Sequence, residues 1–192
     1  MNYYSSTQLA DAFRTVRKNT IQIAEDIPED QYGFSPASDT RTIAQLLAHM
    51  AVATNFAYVV HSTKVTDMTT LNFGELFQNF GAEETKPRTK AEMVDYLKAE
   101  GEKFASFIEG LDDEFLGETV TLPPGAQPQQ KTRFEMLLSA KEHEMHHRGQ
   151  LMLVERIIGL VPHLTRQMQA RMAAMQAAMA APAAPAPAEA AR

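Results

Sequence analysis

Core-facing positions recur along most of the chain at alternating spacings of three and four, the pattern of helices with one buried face. The first such segment opens with a capping box at Ser5 and Gln8 and is ended by Pro28. Its stripe consists of Leu9, Phe13, Val16, Thr20, Ile23 and Ile27. The spacing therefore predicts a long first helix that faces a helical core.

Three further segments carry the same kind of stripe. The second runs from about residue 39 or 40 to about residue 62, with Thr42, Leu46, His49, Ala53, Phe56 and Val60 on one face. The third starts at a capping box on Thr89 and Glu92, and its stripe is Met93, Leu97, Gly101, Phe104, Ile108 and Leu111. The fourth starts at a capping box on Thr132 and Glu135 and extends to about residue 158 or 159. Four amphipathic helices with moderate connections predict an all-α four-helix bundle.

The connections and the C-terminus are predicted to lie outside this bundle core. Residues 72–80 favour a short helix that packs on the rest of the protein through Phe73, Phe77 and Phe80. Residues 118–122 favour a short strand before a Pro-Pro-Gly turn. After Pro162, residues 163 to about 180 predict an extra C-terminal helix, and the Ala/Pro-rich remainder is predicted to be disordered. We therefore expect a bundle domain over residues 1–162 and an extension over residues 163–192.

Composition and charge narrow the class of protein. At 192 residues, with 44% apolar and 22% charged residues, the chain has the make-up of one globular domain. A net charge of −6 without a basic cluster argues against nucleic acid as a partner. The N-terminus lacks the pattern of a signal peptide, and no uninterrupted apolar run approaches the ~18 residues of a membrane span. A cytoplasmic protein without a membrane partner is expected.

The segment from residue 141 to residue 150 (KEHEMHHRGQ) places three of the six histidines within five residues. His143 and His147 stand four apart, so on a helix they project from one face. The stripe of the fourth helix passes through both, as Met136, Ala140, His143, His147, Leu151, Val154 and Ile158. His146 lies about 100° away from His147 around the helix. We predict that His143 and His147 point into the bundle and that His146 does not.

His49 occupies the apolar face of the second helix, near its middle. A lone histidine there is most often a hydrogen-bonded core residue. Two more inward histidines at matching depth on another helix favour a shared divalent metal instead. Three imidazole ligands leave at least one coordination position open for water or a substrate atom. Imidazole suits zinc, nickel, copper or iron, and the sequence does not choose among them.

The histidine segment also matches two other metal-site motifs. Residues 143–147 read H-E-x-x-H, the helix of zinc peptidases in which the glutamate, here Glu144, is the general base. Gln150 and Leu153 stand where a metzincin has its glycine and third histidine, and Glu155 is too close to serve as a downstream ligand. The E-x-x-H spacing of di-iron proteins occurs on one helix only, which excludes that site. A peptidase is therefore a minor alternative, and Glu144 is expected to be solvated.

Other residues near the histidines are assigned structural or surface roles. His146 is expected to support the site rather than bind metal, Arg148 to lie on the surface or in an ion pair, and Gly149 to permit close packing. His61 and His163, near helix ends, are expected to be solvated. The fourth helix has a second apolar stripe: Phe134, Leu138, Met145 and Met152. A helix that is apolar on two sides is either central or also packs on a partner subunit, and we take the stripe to favour a homodimer.

The chain resembles the DinB (DinB/YfiT-like) superfamily through residues 42–49 (TIAQLLAH) and residues 143–151 (HEMHHRGQL). The likeness in layout spans about residues 3–160. It implies an up-down-down-up four-helix bundle, often dimeric, with a metal held by one histidine of the second helix and two of the last. Those positions match His49, His143 and His147. Some relatives are thiol-dependent S-transferases or isomerases that use low-molecular-weight thiols, and others are called metal-dependent hydrolases.

These observations predict a divalent-metal protein that activates a thiol cosubstrate or water for attack on a small electrophilic substrate. Because the chain has no cysteine, a nucleophilic thiol would have to come from a cosubstrate. The same absence fits hydrolysis equally well. The alternatives are a non-catalytic bundle that binds a metal or small ligand, and a metal-free bundle with a buried histidine cluster.

Overall fold

Four long helices and three shorter ones follow one another in the computed structural model, which describes residues 4–180. They are α1 (Ser6–Asp26), α2 (Ile43–Ser62), α3 (Phe73–Thr85), α4 (Lys90–Glu109), α5 (Asp113–Gly117), α6 (Arg133–Ile157) and α7 (His163–Ala180). The long helices α1, α2, α4 and α6 are the four that the sequence predicts. The predicted short helix of residues 72–80 is longer, as α3, and the predicted disordered tail beyond residue 180 lies outside the described residues.

Each bundle helix begins with a reciprocal capping box, in which a hydroxyl and a side chain three residues later satisfy backbone N–H groups. The four pairs are Ser5 with Gln8, Thr42 with Gln45, Thr89 with Glu92 and Thr132 with Glu135. Each such cap contributes about 1 kcal/mol. The box at Thr42 fixes the start of α2 at Ile43, later than the predicted residue 39 or 40.

Contacts between helix ends show which neighbours are antiparallel. The side chain of Lys90, at the start of α4, donates to the backbone oxygen of Ile27, just after α1, at 2.8 Å. Arg133, the first residue of α6, donates to Nδ1 of His61, near the end of α2, at 3.3 Å. Consequently α4 runs opposite to α1, and α2 runs opposite to α6.

Another packed pair, α1 and α6, is parallel. Tyr4, before α1, contacts Phe134 at the start of α6, with ring centroids 5.9 Å apart, and Arg17 in mid-α1 contacts Glu144 in mid-α6. Taken in order, α1, α2, α4 and α6 therefore run up, down, down and up. This confirms the predicted fold class.

A small hairpin closes one end of the bundle. Strand β1 (Thr119–Thr121) pairs antiparallel with β2 (Gln130–Thr132), with Val120 opposite Lys131. Val120 is fully buried and packs with Val60 and Met68. The predicted strand over residues 118–122 is therefore confirmed, whereas its partner was not predicted because β2 is short and polar.

The most apolar helix, α2, is a core element of the bundle. Its length and mean hydropathy of 1.5 would suffice for a membrane span, but 56% of its most apolar window is buried. It packs on α4 and α6, and α3 covers part of its outer side. The hydropathy of α2 is thus explained by burial inside the protein.

A buried ion pair joins all four bundle helices. Arg17 donates to both carboxylate oxygens of Glu144, at 2.8 and 2.9 Å, and to the backbone oxygens of Leu97 and Met50, at 2.9 and 3.1 Å. A Cβ on Gly101 would lie 2.7 Å from Cγ of Arg17, so a glycine is needed where this side chain crosses α4. The expectation that Glu144 is solvated is wrong, because α1 supplies its partner.

Two further histidine predictions are also wrong. His61 and His163 were expected to be solvated, but both are buried. His61 lies against Arg133, and burial together with that positive charge lowers its pKa to about 4. Nε2 of His163 lies 3.2 Å from Oδ1 of Asn19 on α1. Tertiary packing covers both helix ends.

The structure does not bear out the close packing expected at Gly149 or an ion pair at Arg148. No described side chain or neighbouring element comes within 4 Å of the position that a Cβ on Gly149 would occupy, so close packing does not explain this glycine. Arg148 is half-buried, forms no ion pair with the described residues, and its Nε is buried without a hydrogen-bond partner. The predicted ion pair is therefore not found among the described residues, whereas the partly exposed side chain agrees with a position near the surface.

Glu155 provides a test of pH-dependent stability. It is fully buried, neither carboxylate oxygen has a hydrogen-bond partner among the described residues, and burial followed by the charge of Asp26 raises its pKa to about 7. A raised native pKa contributes stability below the unfolded value of 4.5, and this contribution is lost as the pH rises through about 7. We expect Glu155→Gln to raise the free energy of unfolding at pH 8 by about 1–3 kcal/mol relative to wild type.

Urea denaturation at pH 5 and pH 8 measures this effect. The advantage of Glu155→Gln should shrink toward zero at pH 5, where the wild-type carboxyl is protonated in the native state. An advantage of equal size at both pH values would contradict the assignment, since it would show that the titration of Glu155 is not its source.

Candidate metal centre

Three histidines from two helices meet at one point of the bundle. His49 lies in the second turn of α2, while His143 and His147 lie on one face in the middle of α6. Nε2 of His143 is 3.2 Å from Nε2 of His49 and 3.1 Å from Nε2 of His147. One ligand atom from each residue falls within 4.8 Å of the others. The structure therefore brings together the three histidines that the sequence selects.

The spacing of these nitrogens suits a metal ion. Two imidazole nitrogens bound tetrahedrally at ~2.0–2.1 Å from zinc are about 3.3–3.4 Å apart. The observed separations of 3.1 and 3.2 Å are close to that value. Within residues 4–180, this is the only group of three or more potential ligands with such spacing.

Hydrogen bonds at the far side of two rings set their orientation. Nδ1 of His49 lies 2.6 Å from Oε1 of Glu84, and Nδ1 of His147 lies 2.7 Å from Oε1 of Gln150. Both partners accept, so each Nδ1 carries the proton and each Nε2 lone pair is free to face the cluster. This is the tautomer that a metal requires of a ligand bound through Nε2.

The acidic partner of His49 is itself held in place. Nε of Arg41 donates to Oε2 of Glu84 at 2.9 Å. Burial alone would raise the pKa of Glu84, but its hydrogen bonds with Arg41 and His49 prevail and lower it. Glu84 is therefore a carboxylate at neutral pH and links Arg41 to His49.

Burial keeps the rings of His143 and His147 unprotonated. Burial, followed by the neighbouring His147 and His49, lowers the pKa of His143 to about 4. Burial also lowers the pKa of His147, although the hydrogen bond from its ring to Gln150 opposes the shift. Both rings are consequently neutral at pH 7, as metal ligation demands.

A cleft of about 740 Å³ opens beside the cluster. His147 contributes to its wall, together with the loop before α2, the start of α2, Glu84 and the C-terminal half of α6. Its volume falls within the ~300–1,000 Å³ range of small-molecule sites. A metal held by the three histidines would thus lie next to a space that can admit a small substrate.

The geometry removes the support for a peptidase. In the H-E-x-x-H motif, the glutamate has to face the metal-bound side of the helix to act as a base. Here Glu144 is 1% exposed, and both of its carboxylate oxygens accept hydrogen bonds from Arg17. It therefore cannot serve as the general base at the histidine cluster.

His146 lies outside the cluster, on the exposed side of α6. Its Nε2 is 3.2 Å from Nε2 of Gln150, and its ring contacts that of His147 with centroids 4.9 Å apart. It can steady Gln150 and His147 without joining the three convergent nitrogens. The structure thus places His146 away from the proposed metal position.

Comparisons with known proteins agree with this architecture. A sequence profile described as the DinB superfamily matches residues 12–151. The chain is 28% identical over 155 residues to the uncharacterized protein YjoA of Bacillus subtilis strain 168, across 80% of this chain and 91% of YjoA. The crystal structure of YjoA, a DinB-like protein, superposes with a TM-score of 0.58 at 26% identity, covering 79% of this chain and 92% of that one.

A second solved structure shares the fold at lower identity. It is YfiT from Bacillus subtilis, described as a probable metal-dependent hydrolase with an unusual four-helix bundle topology. It superposes with a TM-score of 0.66 at 14% identity, over 83% of this chain and 91% of YfiT. The profile match spans His49, His143 and His147 and most of the bundle, whereas α7 lies beyond it. The chain belongs to the DinB superfamily.

Proposed function

We propose that the protein is a metal-dependent enzyme in which His49, His143 and His147 hold one divalent transition metal. Its reaction would be the attack of a cosubstrate thiol or a water molecule on a small electrophilic substrate, as in an S-transferase or a hydrolase. The observation that carries this proposal is the convergence of three Nε2 atoms beside an open cleft. Zinc, nickel and iron all suit imidazole ligands.

The residues around the cluster have different roles in such a site. When bound, a divalent metal lowers the pKa of a water or thiol ligand toward neutrality and can polarise a carbonyl group. Glu84 and Gln150 hold the rings of His49 and His147 in the ligating orientation. Leu153 and Val154 give the cleft an apolar wall against which a substrate can pack. The assignment is also supported by YfiT, which shares the fold and is described as a probable metal-dependent hydrolase.

An open coordination position is the property that separates an enzyme from a metal-storage or structural site. We would load the protein with Co²⁺ and add azide or 2-mercaptoethanol while recording the visible spectrum. A change in the cobalt bands, followed by metal-dependent turnover in a screen of thiols with electrophiles and of hydrolysable esters, would support the proposal. A cobalt spectrum that neither ligand alters would indicate a closed site and favour the non-catalytic metal-binding alternative.

Removing the partner of His49 should weaken the site without removing a ligand. We expect Glu84→Gln to lower the affinity for divalent metal by about 10–100-fold, because the ring of His49 loses its charged acceptor and some of its basicity. Competition with a chromogenic chelator measures the affinity. Glu83→Gln, one residue earlier on α3, is the matched control and should change it less than about threefold. Equal effects of the two substitutions would contradict the role of Glu84.

We also propose that the protein is a cytoplasmic homodimer. The predicted dimer stripe is mostly used within one chain, since Phe134, Leu138 and Met152 pack against the core and only Met145 is exposed. Beyond the cleft, exposed apolar side chains form a row at the end of α6, in the connection after it and along α7: Ile157, Val161, Met168, Met172, Met175 and Met179. A second copy packed on this face would cover that row. The burial of α2 inside the bundle argues against a membrane span at this helix, as a cytoplasmic protein requires.

Light scattering after size-exclusion chromatography tests the dimer. We expect a mass of about twice the 21.3 kDa of one chain, reduced to a single chain in the double variant Ile157→Lys and Met175→Lys. The control Gln167→Lys adds a charge to an exposed polar position of α7 and should leave the mass unchanged. A wild-type protein that is monomeric at every accessible concentration would overturn this proposal.

A further inference from the structure

One positively charged side chain, that of Arg41, lies at the cleft beside the proposed metal site. Arg41 immediately precedes Thr42, the N-cap of α2, and its side chain is 43% exposed. Its Nε donates to Glu84 at 2.9 Å, and Glu84 is the only described residue to which it donates a hydrogen bond. The two terminal nitrogens of the guanidinium group are therefore available to a ligand.

The position of Arg41 is tied to that of a proposed metal ligand. One carboxylate oxygen of Glu84 accepts a hydrogen bond from Nε of Arg41, and the other lies 2.6 Å from Nδ1 of His49. The guanidinium group is thus separated from the His49 ring by a single carboxylate. Because Nε is already bound, the free edge of the guanidinium has restricted freedom and a defined relation to the metal site.

The charges at the cleft favour an anionic ligand. Among the described residues that line it, the acidic ones are Asp39 and Glu84, whose charge is matched by Arg41, and Arg41 is the only lysine or arginine. Three imidazoles would leave the charge of a divalent metal uncompensated. With Asp39 included, the occupied site carries a net charge of about +1, which attracts a small anion.

The residues that line the cleft indicate the chemical character of the rest of the ligand. Leu46, Leu153 and Val154 provide apolar surface, while Gln45 and Gln150 provide amides. A guanidinium edge matches a carboxylate through paired N–H donors. A doubly charged phosphate would find no second lysine or arginine among the described residues of this lining. The surroundings therefore suit a monoanion with a short apolar body.

We propose that the substrate or thiol cosubstrate of this cleft carries a carboxylate group, which binds the terminal nitrogens of Arg41 while the reacting group lies at the metal. The inference rests on the proposed function, since it places the reacting end of the ligand beside the three histidines. It adds a substrate class, small carboxylates, and a residue that selects them.

Two thiols of the same chain length, one ending in a carboxylate and the other in a neutral amide, test this inference without measuring turnover. The Co²⁺-loaded protein is titrated with 4-mercaptobutanoate and with 4-mercaptobutanamide, and the thiolate-to-cobalt absorption band reports binding. We expect the carboxylate to bind about 10–100-fold more tightly, the range given by a charge-assisted pair of hydrogen bonds. Arg41→Gln should reduce this preference to below about threefold and leave the affinity for the amide nearly unchanged.

Controls separate the alternatives. Arg156→Gln alters an arginine whose side chain bonds Met152 and Thr165 on the surface, and it should keep the full preference. Chelation of cobalt by the carboxylate itself would persist in Arg41→Gln, so a preference that survives this substitution overturns the inference.

If Arg41→Gln also weakens cobalt binding, Arg41→Lys keeps a cation beside Glu84 but loses the paired donors. Its preference should fall at least threefold, and an undiminished preference is evidence against the inference.

The two proposals fail in different ways. If the wild-type protein binds cobalt and both thiols equally well, the carboxylate inference is wrong and the metal-dependent function stands. If the wild-type protein takes up no cobalt, the proposed function itself is wrong, and the carboxylate inference is lost with it.

Discussion

Replacing Glu144 by alanine is expected to lower the free energy of unfolding by about 3–5 kcal/mol, the range for breaking a buried ion pair by removing one partner. Arg17 would stay buried between the four helices with its charge uncompensated, although its hydrogen bonds to Leu97 and Met50 remain. Urea denaturation followed by far-ultraviolet circular dichroism measures the loss. A marginally stable bundle would be partly unfolded at 37 °C after this single change.

A matched variant distinguishes the ion pair from a general effect on α6. Glu142→Ala removes an exposed carboxylate two residues earlier and should change the free energy of unfolding by less than about 0.5 kcal/mol. The double variant Arg17→Met, Glu144→Leu should be more stable than Glu144→Ala, because no unpaired charge is left in the core. Equal and small effects of Glu144→Ala and Glu142→Ala would contradict the role assigned to the pair.

The second large effect concerns the histidines. His49→Ala, His143→Ala and His147→Ala are each expected to abolish stoichiometric metal binding, with a loss of affinity on the order of 100-fold or more. Each substitution removes one of three convergent ligands, and loss of an outer hydrogen-bond partner alone costs about 10–100-fold. Isothermal titration with Zn²⁺, after removal of metal by a chelator, measures the affinity of each variant.

His146→Ala is the control for these three variants. It removes an imidazole from the same segment of α6, but one that lies on the exposed side, where its Nε2 is near Gln150 and its ring edge contacts His147 without joining the three convergent nitrogens. We expect it to keep most of the affinity of the wild-type protein. A loss at His146 as large as that at His147 would show that the wrong face of α6 was assigned to the metal.

Local sequence patterns were sufficient to predict the fold. The capping boxes at Ser5, Thr89 and Thr132 mark helix starts because they satisfy N–H groups within four residues of chain. The apolar stripes mark the inward faces because the helical repeat is fixed. Since both signals are local, neither depends on knowing which helices become neighbours.

The convergence of the histidines could be predicted for a related reason. His143 and His147 continue the stripe of α6, and His49 continues the stripe of α2 at a similar depth in the bundle. Inward side chains at matching depth on adjacent antiparallel helices have to approach one another. The inference therefore needed only the fold class and the two stripes.

The partners that hold the site could not be predicted from local patterns. Glu84 reaches His49 from α3, 35 residues away, and polar residues on an exposed short helix carry no signal of this contact. Arg17 lies next to the stripe residue Val16 and has the residue type of a surface position, so its pairing with Glu144 depends on long-range packing. The contact between Gln150 and His147, by contrast, could have been predicted, since Gln150 lies three residues after His147 on the same helix.

The metal content of the protein purified without a histidine tag tests the central claim most directly. Inductively coupled plasma mass spectrometry should find about one divalent transition metal per chain, either as purified or after reconstitution with Zn²⁺ and removal of the excess. A protein that contains no such metal and takes none up would contradict the claim. The three histidines would then be a buried polar cluster of the bundle, with no chemistry to support an enzyme.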